Sequence, residues 1–102
     1  MKEVKAYVHR ARAADVVQAL VRANFGPLSI VDVKGMLAAF DIQEVEYSTS
    51  LGTRVISEIK IEFVCQPDRI DEALTLLEDQ ASMGHGESGV AYVFDVERSV
   101  QF

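Results

Sequence analysis

Three groups of residues in this chain are of types that do chemistry. The first is Ser82-Met83-Gly84-His85-Gly86-Glu87-Ser88-Gly89, where glycines interleave with a histidine, a carboxylate and hydroxyls. Glycines so spaced let backbone N–H groups turn inward and cradle an anion, as phosphate loops do. No Walker lysine follows, and a glycine-terminated helix with a turn accounts for the stretch about as well. The second group lies between about residues 36 and 54. There Met36-Leu37-Ala38-Ala39-Phe40 precedes the acids Asp41, Glu44 and Glu46 and the hydroxyls of Tyr47, Ser48, Thr49 and Ser50. So long a connection is either an extended hairpin, with Ile42 and Val45 as strand residues and Gly52 in its bend, or a protruding loop that engages a partner and whose hydroxyls accept a modification. The third group is scattered. His9 and His85 stand far apart, Glu58, Lys60 and Glu62 alternate as cross-strand ion pairs do, and Cys65 shares strand parity with Ile61 and Phe63, the setting of a buried structural thiol. A metal held by His9, His85 and Glu87 across subunits has no spacing that selects for it. No catalytic constellation emerges, so the expectation is a protein that is not an enzyme.

These residues sit in a chain of 102, of which 49% are hydrophobic, the size of one domain over residues 1–102 with enough apolar material for a core. A formal net charge of −6 repels nucleic acid. Cys65 is the only cysteine, which excludes an intrachain disulfide. The opening Met1-Lys2-Glu3-Val4-Lys5 has no continuous apolar run, and no apolar stretch approaches ~18 residues. The expectation is a cytoplasmic protein, not membrane-inserted.

Val4, Ala6 and Val8 alternate with polar neighbours, the period of a strand with one buried face. From about Ala11 to Asn24, Ala13, Val16, Val17, Leu20, Val21 and Ala23 recur at helical spacing, and Gly26-Pro27 stops the helix. Leu28 to Lys34 predicts a second strand and Val55 to Cys65 a third, whose Ile59, Ile61, Phe63 and Cys65 share one face. Pro67-Asp68 opens a second helix with the stripe Ile70, Ala73, Leu74 and Leu77, and Ala91 to Val100 predicts a fourth strand. The order βαββαβ makes an α+β fold, the ferredoxin-like sandwich, with a four-stranded antiparallel sheet and both helices on one face. Tyr7, Val31, Val33, Val64 and Val93 are apolar residues assigned to the uncovered face, which predicts a homo-oligomer that buries it.

The chain resembles the PII-type nitrogen-regulatory signalling proteins along its whole length. The residues that carry the resemblance are the opening Met1-Lys2-Glu3-Val4-Lys5-Ala6, Leu28-Ser29-Ile30-Val31-Asp32-Val33-Lys34-Gly35 before the long loop, Lys60-Ile61-Glu62, Pro67-Asp68, and the glycine loop before Tyr92-Val93-Phe94-Asp95-Val96. The resemblance implies a trimer that binds adenine nucleotides in clefts between subunits and uses its long loop, the T-loop at about 36–54, to control a membrane transporter or a metabolic enzyme. It also implies the binding residues. The nucleotide would lie against Gly35, Met36 and Leu37 and against Ser29, Glu62 and Val64, with Tyr7 near the cleft and the loop from Gly84 to Gly89 on the phosphates. Where the family's loop reads Gly-Asp-Gly-Lys, this chain has Glu87-Ser88-Gly89-Val90. Ala38 and Ala39 stand in place of the usual Arg and Gln, and Leu51 falls where the modifiable tyrosine belongs. Each lost cation removes a charge-assisted hydrogen bond of roughly 1.5–3 kcal/mol, which moves the expected effector from ATP with 2-oxoglutarate towards ADP or AMP. Arg22, Arg54, Arg69 and Arg98 are the candidates to replace those cations. The alternative is a module of the same fold that ignores nucleotides and acts through constitutive protein contacts or a metal at His85. An acylphosphatase-like enzyme ranks last, since Asn24, the only asparagine, follows the first helix.

Overall fold

The computed structural model describes residues 1–36, 55–84 and 89–102. The elements are β1 (Lys2–His9), a 3-10 turn (Arg10–Arg12), α1 (Ala13–Arg22), β2 (Ser29–Met36), β3 (Val55–Cys65), a second 3-10 turn (Pro67–Arg69), α2 (Ile70–Ala81) and β4 (Gly89–Asp95). The strands form one antiparallel sheet in the order β2-β3-β1-β4. This is the ferredoxin-like arrangement that the order of elements predicts. Its core lies between the sheet and the two helices. Val4, Ala6 and Val8 of β1 and Ile59, Ile61 and Phe63 of β3 meet Val16 and Leu20 of α1 and Ala73 and Leu77 of α2. Removing Leu20 and Ile61 fully from water contributes about 1.5–3 kcal/mol each.

The ends of α1 differ from expectation for local reasons. The His9 Nδ1 accepts a hydrogen bond from the Ala11 amide at 3.1 Å, so the chain enters through a tight turn and the α-helix proper begins only at Ala13. At its other end Asn24 takes φ 64°, and the Asn24 and Phe25 amides donate back to the Val21 and Leu20 carbonyls at 3.0 and 2.9 Å. That is a Schellman closure, in which asparagine tolerates the left-handed backbone and the following apolar residue, Phe25, folds under the helix into the core. Asn24 is thereby a helix cap, which removes the basis for the acylphosphatase-like reading.

β4 is shifted from the range the pattern predicts. It starts at Gly89, opposite Val8, and stops at Asp95, opposite Lys2, because β1 offers no further residues to pair with; the Val96 amide makes the last bond, to the Met1 carbonyl at 3.1 Å. The register also corrects the face of Val93. It pairs with Val4 and so belongs to the helix side, where on the edge strand it is 39% exposed. The uncovered face carries Tyr7, Val31, Val33 and Val64 as expected, and adds Val90, Tyr92 and Phe94.

The two halves of the molecule repeat one another. Sliding β1-α1-β2 onto β3-α2-β4 without insertion matches Arg12 with Arg69, Asp15 with Glu72, Val16 with Ala73, Leu20 with Leu77 and Ala23 with Gln80. Arg12 and Arg69 each precede a helix and each pair with the carboxylate three residues on, at 2.9 and 3.0 Å. Each also donates across to the end of the other helix. The Arg12 Nε reaches the Gln80 carbonyl and an Arg69 terminal nitrogen the Ala23 carbonyl, both at 2.8 Å. The cations so placed neutralise the negative ends of the helices.

Candidate functional site

The register decides which of the candidate residues meet. Tyr7 lies directly opposite Val90 on one side and Lys60 on the other, and Ser29 lies opposite Glu62. Val31-Lys60-Tyr7-Val90 is therefore one row across the uncovered face, and Ser29-Glu62-Lys5-Tyr92 the next. Glu62 is held by two ammonium groups, Lys60 at 3.3 Å and Lys5 at 3.7 Å. Lys5 also stands 5.4 Å from the centre of the Phe94 ring, and the Tyr7 and Tyr92 rings meet edge to face at 6.3 Å. The face thus has a charged middle between apolar margins, where Val31, Val64, Val90, Tyr92 and Phe94 are all exposed.

What the single chain does not bring together is as informative. Ser29, Gly35 and Met36 are on β2, whereas Val90 and Gly89 are on β4, and these are the two edge strands of the sheet. Neighbouring strands stand ~4.8 Å apart, so the two groups are separated by about 14 Å across the sheet. Leu37, Glu87, Ser88, and the loop residues Asp41, Glu44, Glu46, Tyr47, Ser48, Thr49 and Ser50 lie outside the described residues, as does Arg54.

At the β4 edge the sheet and α2 leave a groove of about 490 Å³ with Ala6, Leu77, Ala81, Ser82, Gly89 and Ala91 among its walls. Gly84, with φ 82°, and Gly89 flank the loop between α2 and β4. At 84 the backbone itself calls for glycine, and the Gly84 amide donates to the Ser82 hydroxyl at 3.3 Å. At 89 the reason is space: a Cβ there would lie 2.3 Å from the Tyr7 carbonyl oxygen, so only glycine lets β4 close onto β1. The glycine pattern in the sequence pointed to a cradle for anions; at position 89 the structure shows a glycine required by strand pairing.

The cations around the site are mostly engaged. Val90 adds an apolar side chain beside Tyr7. Arg69, one of the candidate replacements, is committed elsewhere. Its guanidinium binds the Ala23 and Asn24 carbonyls and Glu72 and lies 3.9 Å from the centre of the Phe25 ring. Arg22 is exposed at the end of α1, and Arg98 follows β4. Burial pushes the Cys65 thiol up from its ordinary pKa, against the opposing pull of Arg69, which keeps it protonated and a poor nucleophile at neutral pH. Among the described residues no three histidine, cysteine, aspartate or glutamate side chains gather as metal ligands, and no helix is long and apolar enough to cross a membrane.

Two structural features escaped the sequence reading: the engagement of Arg12 and Arg69 with helix-end carbonyls, and the apolar margin that β4 adds to the uncovered face. Backbone carbonyls carry no sequence signal, so the first had none to find. The second was signalled by apolar residues at both parities of β4.

Similarity to known proteins runs the whole length of the chain. A family model described as Nitrogen regulatory protein P-II matches residues 1–102. The nitrogen regulatory protein P-II of Porphyra purpurea is 24% identical over 101 residues, covering 99% of this chain and 90% of that protein. That of Pyropia yezoensis is 21% identical over the same length, with the same coverage.

Proposed function

Since this chain belongs to the nitrogen regulatory protein P-II family, a family of regulatory proteins, we propose that it is a homotrimeric signal-transduction protein that binds an adenine nucleotide, ADP or AMP, between subunits. Through the loop at about 36–54 it passes the state of that site to a membrane transporter or a metabolic enzyme.

The observation that carries this reading is the division of the site. Candidate residues on β2 and on β4 stand at opposite edges of one sheet, and the face between them exposes Val31, Val64, Val90, Tyr92 and Phe94. An apolar face of this extent is satisfied by a second copy of the chain. Packing copies face to face brings the β2 edge of one subunit towards the β4 edge of the next, which joins Ser29, Gly35 and Met36 to Gly84, Gly89 and Val90, with Glu62, Val64 and Tyr7 on the central strands between the edges. The charged contacts to phosphate are fewer than a triphosphate needs, since Val90 offers no charge and Arg69 is occupied. That favours ADP or AMP over ATP.

The test combines mass measurement by light scattering with calorimetric titration of ATP, ADP and AMP. The expected result is a trimer that takes one ADP or AMP per subunit and binds ATP more weakly. A monomer, or a trimer indifferent to all three nucleotides, refutes the nucleotide-sensing role. In the second case stabilisation by a divalent metal would point instead to the nucleotide-independent module.

A further inference from the structure

We infer that the segment 96–102 adds a strand to the β2 edge of a second copy of this chain, running antiparallel to it with Arg98 on Asp32, Val100 on Ile30 and Phe102 on Leu28. This rests on the self-association in the proposed function and not on its nucleotide. The segment has the pattern of a strand and no sheet to join. β4 stops at Asp95, yet alternation continues past it: Val96, Arg98, Val100 and Phe102 fall at one parity and Glu97, Ser99 and Gln101 at the other. No glycine, proline or asparagine interrupts the run. Beyond the Val96 amide, which reaches the Met1 carbonyl, the chain belongs to no element, and Val100 and Phe102 are 73% and 116% exposed.

β2 offers the counterpart. It is an edge strand, so one side of its backbone has no neighbour in the sheet. Ile30 and Asp32 pair with the buried Ile61 and Ile59, which puts both on the helix side, where Ile30 is nevertheless 53% exposed. Leu28, just before β2, packs against the core. The Asp32 carboxylate meets Arg10 at 2.8 Å and keeps 72% of its side chain exposed, open to a second cation, while Arg98 makes no ion pair among the described residues. Setting Arg98 on Asp32 in the antiparallel direction places Val100 on Ile30 and Phe102 on Leu28. A parallel run would set Val100 against Lys34 and require Val96, still bonded to its own Met1, at Ile30. One chain cannot supply both strands. β2 and β4 are opposite edges, so a strand added beside β2 lies ~19 Å from β4. Arg98, three residues past Asp95, reaches at most ~11 Å. The contact is therefore between copies, each giving one segment and accepting one, a head-to-tail arrangement that closes into a ring.

The test is oxidative cross-linking of the full chain in a Cys65→Ser background, read beside mass by light scattering. A chain carrying Ile30→Cys and Val100→Cys should form disulfide-linked multimers, since directly opposed strand residues hold their Cα atoms at the spacing a disulfide needs. Moving the second cysteine one place, as Ile30→Cys with Ser99→Cys, turns it to the other face and should cut the cross-linked fraction by about fivefold or more. With Cys65 unchanged, Arg98→Ala and Asp32→Ala should each raise the concentration at which the assembly dissociates about two- to fivefold, and the double variant no more than either alone. Equal cross-linking of the two cysteine pairs, or additive effects of the two alanine substitutions, overturns the inference. A trimer that fails both arms removes this contact and leaves the proposed assembly standing, whereas a monomer refutes both. A cross-linked dimer supports the contact and refutes the trimer.

Discussion

The two halves of this molecule use one helix frame and close it differently. At the end of α1 the chain turns under the helix, and Phe25 fills the space between helix and sheet, 5.4 Å from Phe63 and beneath the Arg69 guanidinium. The same slide that matches Arg12 with Arg69 matches Phe25 with Ser82 and Phe63 with Ala6. Where the end of α1 meets two phenyl rings, one from each half, the end of α2 has the hydroxymethyl of Ser82 and the methyl of Ala6, and there the groove opens. Site and scaffold thus differ at a few side chains: the second half has a groove because its aromatic plug is absent.

That comparison is broken or sharpened most strongly in the core. Leu20→Ala should destabilise by about 3–5 kcal/mol and Leu77→Ala by about 2–3, because a wall already bordering a groove leaves less of a closed cavity. Urea unfolding measures both, and equal losses would mean that the halves are packed alike. Gly89→Ala comes next. Its Cβ must push β4 off the Tyr7 carbonyl, at a cost of about 1–3 kcal/mol, with loosened β1–β4 pairing visible as faster amide exchange in residues 90–95. Arg69→Ala should cost about 1–2 kcal/mol for its carbonyl contacts and its stacking on Phe25, discounted for partial exposure, and Arg12→Ala about half as much. Ser82→Phe restores the plug of the first half. It should stabilise the protein by about 0.5–2 kcal/mol in a thermal melt while weakening any ligand that needs the open groove.

The smallest effect is electrostatic. Lys2 binds the Asp95 carboxylate at the end of β4 and holds its pKa below the ordinary carboxylate range. A folded pKa below the unfolded one stabilises at pH above the unfolded value, and that contribution disappears as the pH falls through the folded value. Following the Asp95 carboxyl by NMR from pH 6 downward should show its midpoint lowered in the native protein and restored by Lys2→Ala.

Much of the frame was legible in the sequence because alternation and helical spacing report burial directly. β1, β3 and both helix stripes follow from Val4, Ala6 and Val8, from Ile59, Ile61 and Phe63, and from Leu20 and Leu77. β4 was less legible for a physical reason. With apolar residues at both parities, its face and its limits are set by pairing with β1, which no local pattern reveals, and so Val93 was assigned to the wrong side. The internal repeat was hidden as well, since the matched positions share only a charge class or an apolar class, as Asp15 with Glu72 and Val16 with Ala73 do. The membership of the candidate site came from family resemblance. The register then showed what the resemblance alone does not: Tyr7 neighbours Val90, Ser29 neighbours Glu62, and Ser29 and Val90 stand on opposite edge strands.

The crossed arginines bear on how this chain acquires its structure. Arg12 finds its carbonyl 68 residues ahead, and Arg69 its own 46 residues behind. β1, moreover, is inserted between β3 and β4. Neither half can therefore finish its helix ends or its sheet without the other. Such an interleaved chain should fold as one cooperative unit: a fragment ending before β3 would remain unfolded, and the two fragments mixed should regain structure together or not at all.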